Sequence, residues 1–518
     1  MSNARPATTI YRNPILDGDF PDPDVIRVGD DYWMITSTMH LSPGMTVLHS
    51  FDLLTWSYAG HCVPDLRALG PDYAGESMNR FGRGVFAGSL RHHGGRYWVF
   101  FTTLDEGFFM TSAEHPSGPW DPVHHLWDAS GWDDPCPLWD DDGRAWLVAS
   151  RPGAAGWFSY LFAMSADGRR IDHEVPTVLD SCHTSEGNKI FRHGGRYFLL
   201  HNEVRHGGAR VAVIMGADSL GGPWEKRLLL AGTGPDLERE PCQGALVDNA
   251  DGSWSFVTHH GRGGYPEGRP VSLLPVTWVG GWPVVNPDSL AAGRMAWTAP
   301  TPLPGAPRSV LARNDPLTGA HLGGQWQWNH EPCEGAWALT GSGLRLDGRR
   351  LTTPGSLLHA PNTLSQRSCA RGGTASVHLS PACLGEGALA GLGHLSSAAS
   401  AILVHRIKGD CRLEVWGDGY LVGPTVDGDL WLRTDLDYRG FASFSYSTDG
   451  AAFTALGGSF PTVWSSYRGS RIALYSFSAD GADGHALFRD FRYVVPSRDL
   501  PWAPEEPGPS GYPAPVGL

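Results

Sequence analysis

The stretch Asp24-Val25-Ile26-Arg27-Val28-Gly29-Asp30-Asp31-Tyr32-Trp33 decides the fold. Apolar residues alternate up to a Gly-Asp-Asp turn and resume as aromatics after it, the pattern of two paired strands in a hairpin. The same turn and aromatic strand return at Gly94-Gly95-Arg96-Tyr97-Trp98, Asp142-Gly143-Arg144-Ala145-Trp146, Gly194-Gly195-Arg196-Tyr197-Phe198 and Asp251-Gly252-Ser253-Trp254-Ser255. A second element recurs outside the hairpins, as Ser50-Phe51-Asp52-Leu53-Leu54-Thr55-Trp56, Ser117-Gly118-Pro119-Trp120 and Gly221-Gly222-Pro223-Trp224. Counted at the first residue of each aromatic strand (32, 97, 145, 197 and 254), the spacings are 65, 48, 52 and 57 residues. That interval fits a four-stranded blade with loop insertions, whereas a solenoid of β-turns needs a shorter and stricter period. The reading is all-β, beginning with a five-bladed β-propeller.

Propeller geometry then predicts a site by counting. If the strand before each hairpin is innermost, residues at one offset before the aromatic ring the central channel. Ten residues before Tyr32 lies Asp22; eleven before the other four positions lie Phe86, Asp134, Glu186 and Gln243. Three carboxylates from three blades thus converge, although carboxylates normally avoid shared interiors. Hydrolysis of a glycosidic bond asks for such a set: one acid protonates the leaving oxygen, one carboxylate works on the opposite face, and a third raises its neighbour's pKa. The alternative is that the acids hold a cation or cap strand ends. Asp133 adjoins Asp134, and strand alternation turns it to the opposite face.

Composition supports a neutral ligand. The net charge is −14, without runs of Lys or Arg, which argues against nucleic acid, membrane surfaces and polyanions; 21 Trp residues suit stacking on sugar rings. Eight cysteines are scattered without a C-x-x-C pair, so neither a zinc ribbon nor a disulfide frame is indicated. The first ten residues lack the apolar core of a signal peptide, and no span of membrane length follows, so a soluble, cytoplasmic chain is expected. The repeats cease before Ala299-Pro300-Thr301-Pro302-Leu303-Pro304, a stiff linker. The division is therefore a propeller over 1–305, an antiparallel β-sandwich over 306–500, where short alternating runs return without the blade repeat, and a Pro/Gly-rich tail over 501–518.

These residues also carry a resemblance. Asn13-Pro14-Ile15-Leu16 followed by Phe20-Pro21-Asp22-Pro23-Asp24, then Gly84-Val85-Phe86-Ala87, Trp132-Asp133-Asp134-Pro135 and Ser185-Glu186-Gly187, resembles glycoside hydrolase family 43. Gln325-Trp326-Gln327-Trp328-Asn329-His330 resembles the start of the concanavalin-like sandwich in that family's β-xylosidase and α-L-arabinofuranosidase branch. The resemblance implies an inverting exo-glycosidase releasing terminal β-D-xylose or α-L-arabinofuranose from short oligosaccharides, with Asp22 as general base, Asp134 as pKa modulator and orienter, and Glu186 as general acid. An arabinan-cleaving hydrolase and a non-catalytic sugar-binding propeller stay open beside it.

Phe86 replaces the family's usual Trp. Arg269, in Gly268-Arg269-Pro270, resembles an arginine that contacts substrate hydroxyls, a surface salt bridge being the alternative. Met39 and His40 follow the first hairpin and are expected to border the pocket with Gln243, while Phe51 is expected to pack in the interior. No cofactor is required for the chemistry, although a structural Ca²⁺ in the channel, near His259 or His260, accords with several family members. The partner is a small oligosaccharide, and a homo-oligomer stays open. Trp464 and Tyr467 either line the pocket from a sandwich loop or pack in the sandwich core.

Overall fold

The computed structural model describes residues 10–496 except 155, 205–209, 232–241, 260–267, 288–292, 294–297, 304–310, 370 and 482–483. The tail over 501–518 and His260 lie outside the described residues. Five antiparallel sheets of four strands follow one another along the chain, each built from consecutive sequence. Their first strands, Asp24–Val28, Ser89–His93, Asp133–Trp139, Ser185–His193 and Cys242–Asp248, line the channel, so the five blades and their inner strands are those the repeat predicts.

The repeated residue at the head of the second strand is interblade glue. Tyr32 packs with Val247 and Val257 of the fifth blade, Tyr97 with Trp33 of the first, Ala145 with Phe100 and Phe108 of the second, Tyr197 with Leu138 and Val148 of the third, and Trp254 with Phe198 of the fourth. Each blade thus buries an apolar head against the blade before it, which a wedge-shaped array needs and a lone hairpin cannot satisfy. For Tyr32 the preceding blade is the last one, so this contact closes the ring. Its hydroxyl accepts the Ala250 N–H at 3.1 Å. Closure is reinforced where Ile10–Arg12 pairs with Thr298–Pro300 and where the Tyr11 hydroxyl and Asn13 amide donate to the Leu273 carbonyl.

The carboxy-terminal part is a sandwich of a nine-stranded and a seven-stranded sheet. Between them lies one apolar core, including Leu364, Leu392, Ile402, Leu413, Leu432, Phe444, Leu474 and Phe488, all 2% exposed or less. The nine-stranded sheet is completed from the propeller: Leu41 and Ser42 pair with Asn329 and Trp328. The two domains therefore share a backbone ladder as well as side-chain contacts.

That joint accounts for two corrections. His40, expected at the pocket, is fully buried in the joint; its Nδ1 accepts the Gly82 N–H at 3.1 Å, its Nε2 lies 3.2 Å from Arg468 Nη2, and its ring meets Phe81 and His330. Both ring nitrogens are occupied, so it presents no edge to a ligand. Met39 is likewise 1% exposed, held in the left-handed region (φ 51°) by reciprocal backbone bonds with Val85, and it packs instead of lining the pocket. Phe51 corrects the opposite way: it is 37% exposed and rests edge-on against His49 beyond the end of the third strand of its blade.

Candidate active site

The ring positions meet at one mouth of the channel, and a repeated backbone device turns them inward. Asp22, Asp134 and Gln243 all occupy the left-handed region, at φ 56°, 53° and 55°, while Glu186 is followed by Gly187 at φ 78°. Register shifts interrupt the inner strands between Asp133 and Cys136, Glu186 and Lys189, and Cys242 and Ala245. A bulge re-aims the residue beside it, and left-handed non-glycine residues persist only where their surroundings hold them. At Gly187 the requirement is also steric: a Cβ there would stand 2.7 Å from Asn202 Oδ1.

Asp134 is the hub of the site. Fully buried, it accepts the Gly187 N–H on Oδ2 at 2.5 Å and the Gln243 amide on Oδ1 at 3.0 Å. It thereby ties the residue after Glu186 to the fifth blade. Burial first, then the charge of Glu186, raises its carboxyl to about 7, with the Gly187 hydrogen bond and Lys189 opposing. Lys189 is itself buried, its ammonium donating to the Gly88 carbonyl at 2.8 Å and to Ser89 Oγ at 3.0 Å.

Asp22 is 5% exposed, and its N–H donates to His259 Nδ1 at 2.9 Å. Arg269 lies at the site and not in a surface pair: Nη1 donates to Asp22 Oδ1 at 3.0 Å, and Nη2 to the Tyr467 carbonyl at 2.7 Å. Its own N–H donates to Asp19, whose other oxygen accepts the Gly469 N–H. The sandwich segment 466–469 thus reaches the acidic ring, and the Tyr467 ring sits edge-on to Phe86 with centroids 5.8 Å apart. Of the two expectations for Tyr467, the pocket position is the one found; Trp464 packs on it at 6.0 Å.

Three side chains at the site escaped the sequence reading. Asp133 does not face away from Asp134, because the left-handed turn and the bulge break strand alternation between them. Its carboxyl is raised well above the usual range, by burial first and then by the charges of Asp134, Glu186 and Asp22. Arg210, at the start of the third strand of the fourth blade, lies 2.8 Å from Glu186 Oε1, and the Cys242 thiol donates to that oxygen at 3.2 Å. Cys242 directly precedes the ring position Gln243, the one signal that could have found it; nothing in the sequence marks Arg210.

No set of three protein ligands forms around His259 among the described residues. The one such group found there, Asp180, Cys182 and Glu203, has Lys226 Nζ 2.6 Å from Asp180 and 2.5 Å from Glu203, which makes it an ion-paired cluster in place of a cation site.

Residues 11–283 match glycosyl hydrolases family 43, and residues 315–494 match the beta xylosidase C-terminal concanavalin A-like domain. A putative beta-xylosidase of Xylanibacter ruminicola is 32% identical over 89% of this chain and 85% of its own length. The non-reducing end alpha-L-arabinofuranosidase BoGH43B of Bacteroides ovatus is 30% identical over 73% of this chain and 72% of its own. Among solved structures, a family 43 hydrolase engineered to display endo-xylanase and exo-arabinofuranosidase activities superposes with a TM-score of 0.84 at 25% identity, covering 95% of this chain and all of that one.

Proposed function

The chain belongs to glycoside hydrolase family 43, and from that premise we propose an inverting, exo-acting enzyme that removes a terminal β-D-xylose or α-L-arabinofuranose from short oligosaccharides. The convergence of Asp22, Asp134 and Glu186, from three separate blades, carries the reading. Relatives named for each pentoside support both substrates, since the two sugars can present the same bond direction to the same carboxyls.

In this reading Asp22 takes a proton from a water that attacks the anomeric carbon. The bond from that carbon to the leaving oxygen breaks as Glu186 delivers its proton there. Arg269 binds Asp22 and holds its carboxylate towards the water, while Phe86 and Tyr467 offer rings to the terminal sugar. Asp134 keeps Glu186 in register through the Gly187 N–H. The sandwich segment that supplies Tyr467 narrows one side of the mouth, which favours attack at a chain end. Two carboxyls and a water complete the atom balance, so exhaustive dialysis against EDTA is expected to leave kcat unchanged.

The test is side-by-side turnover of p-nitrophenyl β-xyloside and α-arabinofuranoside, with product anomers followed by NMR from the first minute. Inverted configuration on either substrate supports the reading. Retained configuration, or release of internal fragments from a long chain, overturns it.

A further inference from the structure

Glu186 is held by one oxygen only. Its Oε1 forms an ion pair with Arg210 Nη1 at 2.8 Å and accepts the Cys242 thiol at 3.2 Å, while Arg210 Nη1 donates to the Cys242 sulfur. Arg210 reaches Glu186 from the third strand of the same blade, whereas Cys242 opens the inner strand of the next one. No hydrogen bond to Oε2 is found among the described residues, and the Glu186 side chain keeps 22% of its surface open. Cys242 itself is 3% exposed, and burial pushes its thiol well above the usual range, so at neutral pH it is a donor and not a thiolate.

We infer that Arg210 and Cys242 are positioning residues that clamp Oε1 of Glu186, so that Oε2 is the oxygen that hands its proton to the leaving group. The inference rests on the assignment of Glu186 as general acid. As the proton passes from Oε2 to the glycosidic oxygen and the bond to the anomeric carbon breaks, Glu186 is left with a negative charge. The fixed Arg210 guanidinium faces that charge without having to reorganise. The thiol adds a weak, short-reach donor from a neighbouring blade, fixing the carboxyl plane. A carboxyl free to rotate would offer either oxygen, and a misplacement of the order of 1 Å at a reacting group costs about a hundredfold in rate.

The experiment compares kcat and kcat/KM across pH for the parent enzyme, Arg210→Met, Arg210→Lys, Cys242→Val, Cys242→Ser and Glu186→Gln. The substrates are the faster of the two p-nitrophenyl pentosides and the corresponding disaccharide. Arg210→Met loses about a hundredfold in kcat on the disaccharide and less than about tenfold on the aryl glycoside, whereas Arg210→Lys recovers part of that loss. Cys242→Val loses about tenfold in kcat on the disaccharide and less than about threefold on the aryl glycoside, whose leaving group needs little protonation; Cys242→Ser recovers most of that loss. Equal losses on both substrates in Arg210→Met or in Cys242→Val overturn the clamp while Glu186→Gln still discriminates between the substrates. Equal losses in Glu186→Gln itself overturn the general-acid assignment beneath it.

Discussion

Two clusters of buried charge stand in this chain, and they have opposite signs. At the channel mouth Asp22, Asp133, Asp134 and Glu186 converge; in the joint between the domains lie Arg367, Arg468 and Arg471 with His40, His61 and His330. Burial acts on both in the same sense, towards the neutral form. It raises Asp134 to about 7, lowers His61 and His330 to about 3 and Arg468 to about 10. The clusters differ in openness. Asp133 and Glu186 keep part of their surface, and Arg210 pairs with Glu186 and Arg269 with Asp22, whereas the three arginines of the joint are 6% exposed or less. Their partners are mostly neutral: Arg471 donates to Ser365 and Gln327, and Arg367 to the Asp19 carbonyl and Thr46. A perturbed pKa therefore does not by itself separate a site from a joint; an accessible face with an unclaimed oxygen does. Asp19 connects the two, since its carboxylate takes an N–H from Arg269 on the site's side and one from Gly469 on the sandwich's.

The largest effect expected is at the acidic cluster. Glu186→Gln should cost about 10²–10⁴-fold in kcat on a disaccharide and far less on an aryl pentoside, as steady-state rates will show. Loss of this contrast would make the cluster another structural joint.

The two clusters should also respond oppositely to pH. Asp134 is raised in the fold, so its contribution to stability is complete below about pH 4 and is lost as pH rises through about 7. Asp134→Asn, with Gln243 turned to accept from the new amide, should therefore melt about 2–4 °C higher than the parent at pH 8 and equally at pH 4, while losing activity. Differential scanning calorimetry at the two pH values checks it.

In the joint the histidines are lowered, so their contribution is complete above about pH 6.5 and is lost as pH falls towards 3. His330→Gln, which keeps an acceptor for the Arg80 N–H, should flatten the fall in Tm between pH 6.5 and 4 by about 1–3 °C. A variant with the parent's acid slope would remove His330 from the account.

The smallest effect concerns the residue that the sandwich brings to the site. Tyr467→Ala removes the ring against Phe86 but leaves the backbone carbonyl that binds Arg269. The ring Tyr467 offers to the terminal sugar is worth about as much as an aromatic pair, about 0.5–1.5 kcal/mol, so KM should rise roughly two- to tenfold with kcat little changed. A fall in kcat alone would show that the segment acts on Asp22 through Arg269.

The sequence by itself determined the parts that depend on short-range pattern. Alternation and turn residues repeat at each hairpin, and the apolar head of each second strand must bury against its neighbour. The five blades therefore followed from spacing, and the inner ring of Asp22, Asp134, Glu186 and Gln243 followed from an offset of ten or eleven residues before the second strand. Only the tertiary structure decided what depends on a broken alternation or on contact between remote segments. Asp133 turns towards the site because a left-handed residue and a bulge fall beside it, and no periodicity encodes that. Arg210 meets Glu186 across one blade, Cys242 meets it from the next, and Tyr467 reaches the mouth from nearly 400 positions beyond Phe86. His40 and Met39 were misplaced for the same reason: the adjoining Leu41-Ser42 segment is claimed by the sandwich sheet, and a strand shared between domains buries its neighbours on both faces.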